Sequence, residues 1–179
     1  MKARDIMTPS PAVVTPSDEV CKAADIMKYE EVGCVPVISD IVTQRLVGVI
    51  TDRDITVRCT ARRHGVGCQV QEHMTPVPLQ TVSPDTDVGH VIAKMLCAHV
   101  RRVPVVDLDG TLMGIVSESD ILTKLPERLA LPLHRMRAAF RPPIARIHLI
   151  AGNASTTPER LLMPHNVDDA PSCCLTATR

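Results

Sequence analysis

Gly48-Val49-Ile50-Thr51-Asp52-Arg53-Asp54-Ile55 occurs twice in this chain, the second copy reading Gly114-Ile115-Val116-Ser117-Glu118-Ser119-Asp120-Ile121. Each copy is an apolar, largely β-branched run that meets a hydroxyl residue, with a carboxylate three positions further on. Such a run reads as a strand, and the residues after it have helical spacing, so the hydroxyl stands where strand becomes helix. The first N–H groups of a helix lack intrahelical partners and carry partial positive charge. A phosphate placed there gains hydrogen bonds from them and from Thr51 or Ser117. Asp54 and Asp120, one turn on, are placed to accept from the two vicinal hydroxyls of a ribose. The plainer reading is that Asp52, Asp54 and Glu118 only cap a helix and complement its dipole. One copy leaves these readings balanced; two copies favour a ligand.

The repetition extends outward from this motif. Met7-Thr8-Pro9 returns as Met74-Thr75-Pro76, Thr15-Pro16 as Ser83-Pro84, and Val35-Pro36-Val37 as Val103-Pro104-Val105. Matching landmarks in one order make the chain a tandem repeat. In each repeat an extended piece (Ala12 to Thr15; Leu79 to Ser83) ends at a proline, and Ser17 or Asp85 is the expected N-cap of a helix. Val20, Ala23, Ala24 and Met27, like Val88, Val91, Ile92 and Met95, fall at helical spacing and predict one apolar stripe. A strand follows (Cys34 to Ile38; Arg102 to Val106), then a polar turn (Ser39 to Arg45; Asp107 to Thr111). Asp109-Gly110 in the second turn is a hairpin signal. A return strand (Leu46 to Thr51; Leu112 to Ser117) runs into a second helix (Asp52 to about Arg62; Glu118 to Leu125), closed by Gly65 or Pro126.

The predicted fold class is therefore α+β, a β-α-β-β-α unit used twice. Residues 63–73 are expected to be a flexible connection, with Gly65 and Gly67 in it. Beyond Pro126 the pattern dissolves, interrupted by Pro132, Pro142, Pro143, Pro158, Pro164 and Pro171. Leu129 to Phe140 predicts a short basic amphipathic helix, and the end of this irregular tail is expected to be disordered.

Composition narrows the function. One Tyr, one Phe and no Trp dictate an aliphatic core and remove the stacking platforms of single-strand nucleic-acid binders. Net charge is zero, yet residues 1–125 hold 13 Lys/Arg against 16 Asp/Glu and residues 126–179 hold 7 against 4. Mildly acidic repeats argue against a duplex-binding surface. No early stretch reads as a signal peptide, and no apolar run approaches the length of about 18 residues that suggests a membrane span. Seven cysteines without paired spacing point to the cytoplasm and reduced thiols.

Catalytic motifs are missing: there is no Gly-x-Ser-x-Gly elbow, no P-loop and no His-Glu-x-x-His. Cys59, His64 and Cys68 lie close in sequence, but structural zinc takes four ligands and no fourth is evident, so no metal is assigned. Cys21, Cys34 and Cys97 sit beside the apolar stripes and read as small core residues. The adjacent Cys173 and Cys174 offer a redox handle, but neighbouring cysteines on a loose tail read more simply as incidental.

With the Met-Thr-Pro openings, the Val-Pro-Val strands and Gly-x-apolar-Thr/Ser-x-x-Asp at 48–54 and 114–120, the chain resembles a tandem pair of CBS domains. This family is named for cystathionine β-synthase, and the pair is also called a Bateman module. The likeness is greatest to small stand-alone bacterial pairs of the hypoxic-response type. It implies repeat 1 over 1–65 and repeat 2 over 66–125, related by a pseudo-twofold axis, with a C-terminal tail over 126–179. It also implies a homodimer, an adenosine-containing ligand (AMP, ADP, ATP or S-adenosylmethionine, with AMP or ATP foremost) and a separate effector protein.

Carried over by position, the resemblance gives Asp54 and Asp120 the ribose hydroxyls and Thr51 and Ser117 the phosphate. Val14, Thr15, Val35, Pro36, Val82, Ser83, Val103 and Pro104 would hold the base. Arg53, inside the first motif, can reach a phosphate with its planar fork. The second motif has Glu118 and Ser119 there, so Arg101 and Arg102 are its expected compensation across the pseudo-twofold; otherwise they are a solvated strand end. One tighter nucleotide site, around Asp54, is the expectation. The chain thus reads as a non-enzymatic sensor. The alternatives are a ligand-free dimerisation scaffold, or a protein that responds to redox state or a metal.

Overall fold

The structure, a computed structural model, describes residues 1–64 and 67–125. The helix closures expected at Gly65 and Pro126, the Leu129 to Phe140 helix and the rest of the tail lie outside the described residues.

The β-branched runs form strands at the expected bounds. They are β2 (Cys34–Ile38), β3 (Leu46–Thr51), β5 (Arg102–Val106) and β6 (Leu112–Ser117). Each Val-Pro-Val strand hairpins onto the strand of the repeated motif, β2 onto β3 and β5 onto β6. A short third strand completes each sheet, giving the orders β2-β3-β4 and β1-β6-β5, where β1 is Thr8–Pro9 and β4 is Thr75–Pro76. The extended pieces before the helices make single parallel bridges, Val14 to Val37 and Val82 to Val105. The apolar stripes become α2 (Val20–Tyr29) and α4 (Val88–Ala98), which bury Val20, Ala23 and Met27 on one and Val88, Val91, Ile92 and Met95 on the other.

The third strands cross over between repeats. Thr8 and Pro9 pair with Ile115 and Gly114 of the second repeat, and Thr75 and Pro76 pair with Val49 and Gly48 of the first. A Cβ on Gly48 would stand 2.8 Å from the Thr75 carbonyl oxygen, and one on Gly114 would stand 2.8 Å from that of Thr8. The motif glycine and the Met-Thr-Pro opening are therefore two halves of one backbone contact, which only a residue without a side chain allows. Helix α1 (Ala3–Ile6) follows the same exchange, with Ala3 and Ile6 in one core with Val91, Met95 and Ile121. Reciprocally, Val70 is packed with Val20, Val37 and Ile50.

This crossover corrects the expected flexible connection. Residues 70–72 form a 3-10 turn whose Val70 is fully buried, and the Val70 and Gln71 N–H groups donate to the carbonyls of Asp18 and Pro16. Burial of an apolar side chain holds residues 70–72 in place. At the other end the hairpin turns clasp each other. Leu46 N–H donates to Gly110 O at 3.0 Å and Leu112 N–H to Gln44 O at 2.9 Å, above a small core of Ile38, Leu46 and Leu112.

Three further expectations need correction. The first helices start at Val20 and Val88, with Glu19 and Asp87 as N-caps, not at Ser17 and Asp85. The cause is a local turn: Thr15 N–H donates to Asp18 Oδ2 at 2.7 Å and Asp18 N–H returns to Thr15 O, which takes those residues out of the helix. Asp85 instead pairs with Arg4. The second helix of repeat 1 is also irregular: α3 (Asp52–Asp54) continues as a π turn (Ile55–Cys59) and a 3-10 turn (Thr60–Arg62), whereas α5 (Glu118–Lys124) is plain α. Finally, Cys34 is buried as expected, but Cys21 and Cys97 are exposed, because each stands off the buried stripe of its helix. Among the described residues no helix is long and apolar enough to cross a membrane.

Candidate functional site

Both repeated motifs fold into the same cap. Thr51 Oγ1 accepts from Asp54 N–H at 3.1 Å, while Asp54 Oδ2 accepts from Thr51 N–H at 3.0 Å and from its hydroxyl at 2.7 Å. Ser117 and Asp120 repeat this with 3.1, 2.9 and 2.5 Å. This is a capping box with Asp in place of Glu. The second carboxylate oxygen takes a cation one turn on: Arg58 reaches Asp54 Oδ1 at 3.3 Å, and Lys124 reaches Asp120 Oδ1 at 2.8 Å. Each cation also holds the residue before a Met-Thr-Pro opening, Arg58 donating to His73 O at 2.8 Å and Lys124 to Ile6 O at 2.7 Å. Burial by itself would raise the Asp120 pKa, but hydrogen bonds from Lys124 and Ser117 outweigh it and hold the carboxyl below its ordinary 3.8.

The helix N-termini are consequently poorer phosphate sites than the sequence suggested. Asp52 N–H donates to Gly33 O, Arg53 N–H to Asp52 Oδ1 and Asp54 N–H to Thr51 Oγ1. In the second motif Glu118 N–H donates to Arg101 O and Asp120 N–H to Ser117 Oγ. Capping consumes the N–H groups that an anion would need.

Positive side chains replace them. A cavity of about 340 Å³ opens beside the first motif and is lined by Thr51, Asp52, Arg53 and Asp54 from repeat 1 and by Arg101, Arg102 and Pro104 from repeat 2. Its apolar wall is Val49, Leu79, Val100 and Ile115. The volume lies in the range of small-molecule sites. Arg102 comes close enough that a Cβ on Gly33 would lie 3.4 Å from its guanidinium. Cys34, also on the wall, has a pKa raised to about 11: burial dominates, Arg102 opposes it, and the Asp54 and Asp52 charges add to it. Such a thiol is a poor nucleophile.

Of the expected site residues, the cavity brings together Thr51, Arg53, Asp54, Arg101, Arg102 and Pro104. Arg101 and Arg102 thus line the cleft of the first motif. Val14, Val35, Val82 and Val103 are not on this cavity and are buried at 6% exposure or less. They belong to the hydrophobic cores instead, Val14 and Val35 to one and Val82 and Val103 to the other. Pro36, Thr15 and Ser83 also lie off it: Pro36 is buried in β2, Thr15 N–H is tied to Asp18, and Ser83 N–H to Thr86 Oγ1. Ser117 and Asp120 are not among its lining. Sequence reasoning missed the wall of Val49, Leu79, Gln80 and Ile115, and the anchoring cations Arg58 and Lys124. The latter stand four residues after each motif carboxylate, a spacing that could have found them.

Comparison with known proteins places this geometry. The model of the CBS domain matches residues 3–59 and again 70–127. Hypoxic response protein 1 of Mycobacterium tuberculosis is 31% identical over 125 residues, spanning 70% of this chain and 85% of that protein. A crystal structure of hypoxic response protein I with two coordinated zinc ions superimposes with a TM-score of 0.63, covering 70% of this chain and 100% of that one. CBSX2 in complex with AMP is similar at 33% identity and a TM-score of 0.60, covering 75% and 98% of the two chains. The CBS domain pair of MJ0100, bound to 5-methylthioadenosine and S-adenosyl-L-methionine, is similar at 30% identity and 0.60, covering 68% and 92%. A crossed pair of three-stranded sheets, each begun by the opening segment of the other repeat, is thus the tandem form of a known domain, and the chain belongs to the CBS domain family.

Proposed function

We propose that this protein is a regulatory, non-enzymatic module that binds an adenosine-containing ligand in the cleft around Asp54. The observation that carries the reading is the cavity itself, where two carboxylates, Asp52 and Asp54, and three arginines drawn from both repeats meet an aliphatic wall. The base lies against Val49, Leu79, Pro104 and Ile115. Asp54 accepts from the ribose hydroxyls through lone pairs left over from capping. Arg53, Arg101 and Arg102 take the phosphate by charge-assisted hydrogen bonds. AMP or ATP fits this polarity better than S-adenosylmethionine, whose sulfonium would face the arginines. The AMP in CBSX2 supports the same class of ligand. Ligand binding draws the repeats together and shifts a dimer or an effector surface in proportion to its differential affinity for the two states.

A second reading, a ligand-free scaffold for dimerisation, is favoured by one observation: both motif carboxylates already serve in caps and ion pairs. Thermal unfolding of the purified chain with AMP, ATP and S-adenosylmethionine separates the two, because a ligand specific for the folded state raises the midpoint with its concentration. No rise with any of the three leaves the scaffold. Native mass spectrometry of the same sample gives the subunit number.

A further inference from the structure

The pseudo-twofold supplies its own control for side chains that packing does not require. Val20 N–H donates to Cys68 O at 2.9 Å, as Val88 N–H does to Met1 O at 3.1 Å. Arg58 holds His73 O as Lys124 holds Ile6 O, and Cys59 follows Arg58 as Leu125 follows Lys124. The second repeat therefore fills three equivalent places with Met1, Ile6 and Leu125, all hydrocarbon or thioether. The first repeat puts Cys68, His73 and Cys59 there, three metal-ligating side chains.

These three converge. Cys59 Sγ and Cys68 Sγ are 3.0 Å apart, and the donor atoms of Cys59, Cys68 and His73 all lie within 4.8 Å of one another. His73 is 2% exposed, and its Nε2 is buried without a hydrogen-bond partner. A buried nitrogen in that state is costly, and an isoleucine in the same place, as at Ile6, carries no such cost. His64 and Glu72 complete a second group with His73, again within 4.8 Å, and the rings of His64 and His73 are 5.1 Å apart. Cys59 closes a π turn, a distortion frequent at functional sites and absent from α5.

We propose that Cys59, Cys68 and His73, with His64 as fourth donor, form a tetrahedral site for a zinc ion. Two sulfurs and two imidazoles are a donor set that suits zinc over harder ions. Zinc–sulfur bonds of about 2.3 Å at the tetrahedral angle need the sulfurs about 3.8 Å apart, so they open by less than an ångström. On binding, both thiols become thiolates and release their protons to solvent, while His73 binds as the neutral imidazole. His73 was missing from the sequence reading because it belongs to the opening segment of the second repeat, which only the crossover brings to Cys59.

The test uses the full chain, reduced, stripped with a chelator and then titrated with zinc or cobalt. One zinc per chain by elemental mass spectrometry is expected, and the cobalt form should show intense tetrahedral d–d bands with thiolate-to-metal charge transfer. Cys173→Ser/Cys174→Ser should keep that ion. His73→Ile should weaken zinc binding by about a hundredfold or more, beyond what outer-shell changes do, and His64→Ala should weaken the cobalt bands. The triple variant Cys59→Leu/Cys68→Met/His73→Ile copies the second repeat, so it should fold with an unchanged circular dichroism spectrum and take up no zinc. Octahedral cobalt, zinc in fewer than about one chain in ten, or zinc retained by the triple variant would overturn the proposal. So would a reduced chain that takes no zinc yet forms a Cys59–Cys68 disulfide on oxidation.

Discussion

Asp54→Ala and Asp120→Ala together separate what the repeated motif does for the fold from what it does for a ligand. In the fold the two carboxylates are equals: each accepts from the N–H and hydroxyl of its capping residue and each pairs with a cation four residues on. Loss of such a cap costs about 1 kcal/mol, and loss of an i,i+4 pair about 0.3–0.5 kcal/mol. The cations keep their carbonyl partners, His73 for Arg58 and Ile6 for Lys124, so neither is left uncompensated. Each variant should therefore lose about 1.5 kcal/mol, a fall in Tm of roughly 3–8 °C for a domain of this size. In binding they differ. Only Asp54 lines the cavity, and charge-assisted hydrogen bonds of about 1.5–3 kcal/mol correspond to at least tenfold in affinity. Titration calorimetry with AMP on ligand-free protein should show that loss for Asp54→Ala and less than a threefold change for Asp120→Ala. Equal affinity losses, or a loss only at Asp120, would refute the one-sided cleft; unequal stability losses would refute the paired caps.

Other perturbations follow from the same contacts. Arg102→Ala should cut affinity for a phosphate-bearing nucleotide by tenfold or more and leave adenosine affinity nearly unchanged, as calorimetry with both would show. Gly48→Ala or Gly114→Ala sets a methyl against a carbonyl oxygen at 2.8 Å and should cost about 1–3 kcal/mol in urea unfolding. Hydrogen exchange should then rise in the displaced Met-Thr-Pro segment. The Asp120 carboxyl, titrating below its ordinary value in the folded chain, contributes stability that is complete above about pH 4 and is lost as pH falls through its folded pKa. Asp120→Asn should remove part of the acid-induced loss below that pH, and an identical acid limb in both proteins would sink the assignment.

Local signals were legible and long-range ones were not. Periodicity placed β2, β3, β5 and β6 to the residue, because a β-branched run bounded by turns has few alternatives. The repeat pointed to Thr51 and Asp54, which line the cavity together with the unrepeated Arg53. Helix starts were misplaced because Thr15 and Asp18 form a turn of their own that competes with capping at Ser17. The valines assigned to the base turned out to fill the core, since a motif fixes position along a strand without stating which face is free. Nothing local says that Val70 belongs under α2, or that Arg102 looks toward Gly33. Those facts come from the crossover, and with it comes the adjacency of His73 to Cys59.

That crossover means the sequence repeat and the folding unit are out of phase by about ten residues. A gene divided near residue 66 would yield two polypeptides that each carry a strand the other lacks, so they should reassemble when co-expressed and precipitate when made alone. The tandem chain is in this sense a strand-exchanged pair carried on one polypeptide.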